Sequence, residues 1–163
     1  MDVIYFKDGT IRINGAKLTH KNFEGRKTDY NTKGKRNFSI IIPSEELAED
    51  LTRQGWKVKV NPPKEDGDKP FMYMPVNLFF NDFGPDVFLE SGDNVHQLYE
   101  DAIHRLDKMN ILDVDLHIRP NNWEINGKTG RTAYVNSMWV RQNVSIFASR
   151  YNEFVRSNSD YED

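Results

Sequence analysis

The chain has 163 residues, a length that suits one domain with a buried core. Hydrophobic residues make up 37% and charged residues 29%, and ten Phe, seven Tyr and three Trp are too many aromatics for a disordered protein. The absence of cysteine excludes disulfides, thiolate zinc sites and cysteine nucleophiles. No apolar run suits a membrane span and the first nine residues lack a signal-peptide pattern. We therefore expect a soluble, cytoplasmic domain without a membrane partner.

The net charge of −3 conceals an asymmetry along the chain. Between Lys17 and Arg36, seven cations stand against two acids, a local charge of +5, while the rest of the chain carries −8. Local charge governs the steering of a polyanion more than the total does. This segment is therefore the first candidate for binding one.

The first third of the chain predicts two strands, a loop and a helix. Residues 11–20 alternate like a strand interrupted by a glycine, and a polar, glycine-punctuated loop follows at 22–35. Residues 38–42 form a short apolar strand. A helix should begin after Ser44, a good N-cap residue, and stop at Gly55.

The middle of the chain predicts further strands. Residues 56–60 alternate strictly, as a half-buried strand does, and 61–70 read as a flexible loop with three prolines. An aromatic strand follows at 71–80, where Pro75 requires a sheet edge or a bulge. A second strand is expected at 86–90.

The last third predicts a helix, a hairpin and a tail. Apolar residues at helical spacing predict a long helix over 93–109, and alternation predicts a strand over 112–119. The glycine-rich segment 126–131 predicts the turn of a hairpin. A last helix is expected at 143–155, followed by a short, mobile, acidic tail at 157–163.

Many short strands with glycine-marked turns and a few helices predict a mainly β, α+β architecture built on a small antiparallel sheet or barrel. The OB-fold, a five-stranded antiparallel barrel, is a natural candidate, here with added helices. We expect a single OB-fold domain over residues 1–156 and a flexible acidic tail over 157–163.

Motifs for catalysis are scarce. Asp113 and Asp115 share one face of a strand, as the ligands of metal-dependent nucleases often do, but a solvated outer face explains them as well. The four histidines show no metal-binding spacing, and P-loops, GxGxxG fingerprints and nucleophile elbows are absent. We expect no enzymatic activity, no metal and no cofactor.

The basic loop carries the strongest functional signal. Its cations are interleaved with Phe23 and Tyr30, and Phe38 follows directly. Single-stranded nucleic acid requires cations along its phosphates and flat rings under its bases. A solvated charged loop explains the cations equally well, but it does not explain the two rings in a glycine-rich segment.

Two further surfaces qualify as partners of this loop. The hairpin at 123–134 contains Trp123, Lys128, Arg131 and Tyr134, although Trp123 is compatible with a core position too. On the strand at 71–80, alternation puts Tyr73 in a set that faces either the core or a ligand, together with Phe71, Asn77 and Phe79. The sequence leaves these alternatives open.

Several segments of the chain resemble the single-stranded DNA-binding proteins of tailed bacteriophages. Two of them are Gly-Lys-Arg-Asn-Phe at 34–38 and Trp-Glu-Ile-Asn-Gly-Lys-Thr-Gly at 123–130. The others, in matching order and spacing, are 15–18, 22–25, 30–31, 47–48, 55–58, 114–120 and 133–135.

This resemblance implies an OB-fold that coats single-stranded DNA during phage replication and recombination, without a cofactor. In such proteins an acidic C-terminal tail often recruits replication partners and competes with DNA. Asp160, Glu162 and Asp163 are the corresponding acids here, although this tail is short and does not end in a hydrophobic residue.

We therefore predict a non-enzymatic protein that binds single-stranded DNA with little sequence preference. The residues expected at phosphates are Lys21, Arg26, Lys27, Lys33, Lys35, Arg36, Arg119, Lys128 and Arg131, and those expected to stack on bases are Phe23, Tyr30, Tyr73 and Trp123. The alternatives are a protein-interaction module of the phage replication or recombination machinery and a metal-dependent nuclease. The oligomeric state stays open, and a homo-oligomer is compatible with the sequence.

Overall fold

The structure, a computed structural model, describes residues 1–144 and residue 154. The described elements are ten strands, one α-helix and one 3₁₀ helix, so the fold is mainly β, as predicted. Apart from residues 143, 144 and 154, the helix predicted at 143–155 and the tail lie outside the described residues. In chain order the elements are β1 (Asp2–Tyr5), β2 (Ile11–Ala16), β3 (Leu18–Asn22), β4 (Arg36–Ile41), α1 (Glu45–Arg53), β5 (Lys59–Asn61), β6 (Phe71–Leu78), β7 (Asp86–Ser91), β8 (Asn94–Leu98), the 3₁₀ helix (Glu100–Asp107), β9 (Ile111–Ile125) and β10 (Lys128–Gln142).

The ten strands form one mixed sheet. Seven of them follow the order β1-β2-β9-β10-β6-β4-β3, in which neighbours are hydrogen-bonded. Strand β10 runs parallel to β6 and β7, and the other described pairs are antiparallel. Strand β5 pairs with β6, and β8 pairs with β7. The parallel β6–β10 contact places the middle of the chain beside the long β9–β10 hairpin.

A bend at Gly15 divides the first long extended segment. Gly15 has φ +71, which favours glycine, and the pairing of β2 with β9 shifts register between Ile13 and Ala16. Lys17 alone separates β2 from β3. As a result β2 pairs with β9 whereas β3 pairs with β4. The predicted glycine kink is therefore confirmed.

Alternate residues of the strands point into one hydrophobic core. In β6, Met72, Met74, Val76 and Leu78 are buried while the residues between them are not. Full burial of such side chains stabilises the fold by about 1.5–3 kcal/mol each. The opposite side of the sheet, which carries Tyr73 and Asn77 in β6, is called the outer face below.

Helix α1 begins and ends as predicted. The hydroxyl of Ser44 accepts a hydrogen bond from the backbone N–H of Leu47 at 3.2 Å, and Gly55, just beyond the helix, has φ +95. The strand predicted at 56–60 is shorter than expected and begins later in the chain, because regular pairing covers only β5, Lys59–Asn61. Residue Trp56 is buried and makes an isolated bridge to Arg131.

The long helix predicted over 93–109 is wrong. Its first part is strand β8, which forms a hairpin with β7 around Gly92 and Asp93, and its second part is the 3₁₀ helix. Gly92 has φ +61, as a two-residue hairpin turn requires. Apolar residues at helical spacing also fit a strand followed by a short helix, because Leu98, Ile103 and Leu106 are buried in either arrangement.

The hairpin of β9 and β10 is confirmed, with a shorter turn than predicted. Only Asn126 and Gly127 lie between the strands, with φ values of 52 and 79, typical of a type I′ turn. Pro75 lies between the part of β6 that pairs with β5 and the part that pairs with β10. This gap fits the local sheet edge that its missing N–H requires. None of the described helices is long and apolar enough to cross a membrane.

Candidate nucleic-acid interface

The basic loop is defined here as residues 23–35. Two polar side chains anchor its base. The Asp107 carboxylate accepts hydrogen bonds from the backbone N–H groups of Phe23 and Glu24 at 2.8 and 2.9 Å. The Asn22 amide oxygen accepts from those of Gly25 and Arg26 at 3.1 and 2.9 Å. Each bond satisfies a backbone donor that the loop would otherwise leave unpaired. The loop therefore leaves the sheet in a fixed direction.

A second set of contacts closes the loop on itself. The Asn31 side-chain NH₂ donates to the carbonyls of Arg26 and Lys35 at 2.9 Å each, and its oxygen accepts from Asn37 at 2.8 Å. The two sides of the loop touch at Gly25, where a Cβ would come within 3.1 Å of the Gly34 backbone. Since Asn31 bridges both sides, the loop is a closed projection and not an open coil.

The prediction that Phe23 stacks on bases is wrong. Its side chain is 0% exposed and stacks on Phe38, with ring centroids 5.2 Å apart. Parallel stacking of this kind stabilises a core beyond the buried area alone. Phe23 is therefore part of the anchor of the loop.

The prediction that Lys21 contacts phosphate is also wrong. Its ammonium donates to the carbonyls of Leu106 and Met109 at 2.9 and 2.8 Å, at the end of the 3₁₀ helix. Burial lowers the pKa of Lys21, while the nearby Asp107 acts in the opposite direction. The partly buried side chain satisfies two carbonyls of the fold.

The tip of the basic loop, residues 27–33, is exposed. The Tyr30 side chain is 99% exposed, and the cations Lys27 and Lys33 lie on either side of it in the chain. Among the described residues, no carboxylate lies within salt-bridge distance of these two lysines. Arg26 and Lys35 are exposed as well, Arg26 at 3.6 Å from Glu24. The tip thus offers a ring and several cations to a ligand.

A row of polar and aromatic side chains crosses the outer face below the loop. Arg119 in β9 lies opposite Tyr134 in β10, Tyr134 lies opposite Asn77 in β6, and Asn77 lies opposite Asn37 in β4. Residues opposite one another point to the same side of a sheet. The guanidinium of Arg119 lies 4.9 Å from the centroid of the Tyr134 ring, a cation–π contact.

The β9–β10 hairpin extends this face. Trp123 lies opposite Gly130, where a Cβ would overlap the Trp123 ring. Glycine at position 130 therefore lets the indole lie against the strand, with 38% of the side chain exposed. Lys128 is exposed and, by alternation, points to the same side as Gly130.

Arg131 does not join this face. Alternation places it on the side opposite to Gly130, where its guanidinium lies 5.8 Å from the centroid of the buried Trp56 ring. Its backbone N–H donates to the Gly55 carbonyl at 2.8 Å. Arg131, which was predicted to contact phosphate, therefore lies on the other side of the hairpin from Trp123 and covers the end of the core.

Tyr73 lies on the outer face in an aromatic cluster. Its ring centroid is 4.8 Å from that of His20 and 5.5 Å from that of Phe71. His20 has φ 49 and lies within the register shift between Thr19 and Asn22 in β3. Sequence reasoning placed Tyr73 and Phe71 on one face of the strand but did not identify His20 as their neighbour.

Arg36 lies at the end of β4, beside the base of the loop. Its guanidinium donates to the Glu100 carboxylate at 3.0 Å and lies 5.7 Å from the centroid of the Phe80 ring. The Nε of Arg36 is buried and has no hydrogen-bond partner among the described residues. Arg36 is thus held by one exposed acid and one ring.

The acids of the nuclease alternative are bound to an arginine. Arg141 donates to the Asp115 carboxylate through both terminal nitrogens, at 2.9 and 2.7 Å, and to Asp113 through Nε. These bonds lower the pKa of Asp115 and raise that of Arg141. Within the described residues, no group of three His, Asp or Glu side chains is arranged to hold a metal ion.

Sequence reasoning placed Asn77 and Phe79 on the same face of the strand at 71–80 as Tyr73, and Tyr134 on the hairpin surface, but it did not include these three among the predicted contacts. Alternation in β6 and β10 agrees with their positions. The structure adds that Phe79, just beyond β6, is 62% exposed.

Three similar solved structures are of one phage protein. The single-stranded DNA-binding protein from bacteriophage Enc34 matches at TM-score 0.54 and 13% identity, covering 90% of this chain and 88% of that one. Its complex with single-stranded DNA matches at TM-score 0.53 and 14% identity, over 90% and 93% of the two chains. A C-terminal truncation of the same protein gives 0.53 and 14%, over 88% and 91%.

The comparison with curated proteins gives no significant match. A family model described as "Putative phage ssDNA-binding domain" matches residues 1–163. This match confirms the resemblance found in the sequence, and the chain belongs to that family.

Proposed function

We propose that this protein is not an enzyme and binds single-stranded DNA with little sequence preference, coating it during phage DNA replication or recombination in the host cytoplasm. The observation that carries the proposal is the exposed loop tip, where Tyr30 lies between Lys27 and Lys33 and no described carboxylate neutralises the lysines. Cations of this kind bind phosphates, and a ring of this kind stacks on any base, which explains the lack of sequence preference.

An OB-fold barrel is part of the proposal. In the OB-fold the first strand is bent and pairs with the second and fourth, and the third pairs with the fifth in parallel. Here β2 and β3 would together be the first strand, β4 and β6 the second and third, and β9 and β10 the fourth and fifth. The basic loop and the Asn126–Gly127 turn are then the two loops that flank an OB-fold binding face.

The proposed contacts fall into two classes. The bases would stack on Tyr30, Tyr73 and Trp123, which lie on the loop tip, β6 and the β9–β10 hairpin. The phosphates would lie along the cations that surround them, namely Arg26, Lys27, Lys33, Lys35, Arg36, Arg119 and Lys128. The pairing of Asp113 and Asp115 with Arg141 supports the inclusion of Arg119, because Arg141 offsets one of the two negative charges on the same strand.

We further propose that residues 1–156 form one domain and that residues 157–163 act as an acidic tail. Such a tail repels DNA and attracts cationic surfaces of replication or recombination proteins. Deletion of 157–163 should therefore tighten binding to DNA at low salt. Unchanged affinity would show that the tail does not compete with DNA.

Titration of a labelled oligo-dT, followed by fluorescence anisotropy at about 50 and 200 mM salt, tests the proposal. Binding should weaken steeply with salt, with a log–log slope of about −0.7 per phosphate contacted. Absence of binding at the lower salt would contradict the proposal and favour a protein-interaction module. Incubation of the same DNA with Mg²⁺ or Mn²⁺ should leave it intact, and cleavage would favour the nuclease.

A further inference from the structure

A cleft of about 230 Å³ lies between the basic loop and the end of β6. The loop contributes Gly34 and Lys35, and β4 contributes Arg36. Tyr134 comes from the outer face and Glu100 from the start of the 3₁₀ helix. The segment 77–80 forms the remaining wall, so the cleft opens beside the row of side chains on the outer face.

The lining of this cleft suits one nucleotide. Phe79, which is 62% exposed, offers a free ring next to Phe80 and Tyr134. Aromatic rings stack on bases of any sequence. Asn77 adds a side-chain amide, which has a donor and an acceptor for the polar edge of a base.

The cleft also contains a cation whose donors are incompletely used. Arg36 donates one N–H to the Glu100 carboxylate at 3.0 Å, and its buried Nε has no partner among the described residues. The Glu100 carboxylate is bound by a terminal nitrogen of Arg36, and phosphate oxygens are equally good acceptors for such a nitrogen. The Glu100 side chain is 59% exposed, so its carboxylate can move aside without disturbing the core.

We propose that the cleft binds one nucleotide of the strand, with its phosphate on Arg36 in the place that the Glu100 carboxylate now holds. Glu100 is then an internal competitor, and binding exchanges one anion on Arg36 for another. This inference rests on the proposed function, since it assigns a subsite to the same strand.

A pair of neighbouring acids separates this competition from a general charge effect. Glu100→Gln and Asp101→Asn each remove one negative charge from the exposed side of the same 3₁₀ helix, but only Glu100 contacts Arg36. At low salt, E100Q should bind oligo-dT about two- to five-fold more tightly than D101N, the range expected for breaking one exposed ion pair. Equal affinities of the two variants would overturn the role of Glu100.

A pair of exposed phenylalanines tests the base site. Phe79 lines the cleft, whereas Phe83 is 97% exposed in the following turn and lies outside it. Phe79→Ala should weaken oligo-dT binding about ten-fold, and Phe83→Ala should leave it unchanged, with the thermal unfolding of both like that of the wild type. Equal affinities of these two variants would overturn the base site.

Titration of the wild-type protein distinguishes a failure of the proposed function from a failure of the cleft as a nucleotide site. A wild type that fails to bind oligo-dT would contradict the proposed function itself. A wild type that binds, with matched variants that do not differ, would contradict only the cleft.

Discussion

At its base the basic loop is continuous with the folded core, whereas its tip projects away from it. Both parts contain an aromatic ring and cations, so their compositions are alike. Phe23 contacts other parts of the fold, and so does Lys21 in the strand just before the loop. Tyr30, Lys27 and Lys33 are exposed. Exposure and free donors, and not residue type, therefore distinguish a candidate ligand contact from an anchor.

The largest expected effect is on stability, at the base of the loop. Phe23→Ala should lower the free energy of unfolding by about 3–5 kcal/mol, because it leaves a cavity beside Phe38. Urea denaturation followed by circular dichroism measures this loss. Phe23→Leu keeps most of the volume and should bind oligo-dT like the wild type. A large loss of affinity in F23L with unchanged stability would return Phe23 to the binding site.

The next effect is on binding, at the tip. Tyr30→Ala should weaken oligo-dT binding by about 1–3 kcal/mol, the usual contribution of one base–aromatic stack. Its free energy of unfolding should stay within about 0.5 kcal/mol of the wild type, since Tyr30 is almost fully exposed. Anisotropy titration and urea denaturation of the same preparation give both values. Tyr30→Phe, which retains the ring, should bind normally, and equal losses in Y30A and Y30F would argue against stacking.

A smaller effect on stability is expected from Lys21. Lys21→Met keeps the aliphatic stem but removes the donor from the carbonyls of Leu106 and Met109. The free energy of unfolding should fall by about 1–2 kcal/mol, below the full value of a charged hydrogen bond because the site is partly exposed. The salt dependence of DNA binding should be unchanged. A shallower salt dependence in K21M would show that Lys21 contacts phosphate after all.

The smallest effect is expected from single cations of the tip. Lys27→Ala or Lys33→Ala should each make the log–log salt slope of binding less steep by about 0.7, the value for one phosphate contact on a single strand. Arg53→Ala serves as a control, because Arg53 is exposed on α1 and already paired with Asp50 at 2.8 Å. Titration at four salt concentrations measures the slopes. Equal changes in all three variants would mean that only total charge matters.

The local features of the fold were predictable from the sequence. The Ser44 cap, the Gly15 kink and the Asn126–Gly127 turn each depend on the conformational preferences of one or two residues. The structure of the segment 93–109 was not predictable, because a hairpin and a short helix can bury the same apolar residues as one long helix. The hairpin of β7 and β8 also pairs with β10, which is distant in the sequence. A local pattern does not contain this long-range pairing.

The candidate site was predictable in part for a similar reason. Alternating cations and rings pointed to the basic loop, and the exposure of Tyr30 and of its lysines agrees with that interpretation. The burial of Phe23 depends on Phe38, fifteen residues away in the sequence, and the position of Arg131 depends on Trp56. Such contacts arise only when the sheet is assembled.

Backbone amide hydrogen exchange, measured with and without oligo-dT, tests the central claim most directly, because it reports which segments the strand covers. Exchange should slow at the loop tip, residues 27–33, and in the hairpin segment 121–129 when the strand is bound. No change is expected at the amides of Phe23 and Glu24, which Asp107 already holds, or around Arg141. Protection confined to the Arg141 region, with an unchanged loop tip, would contradict the central claim.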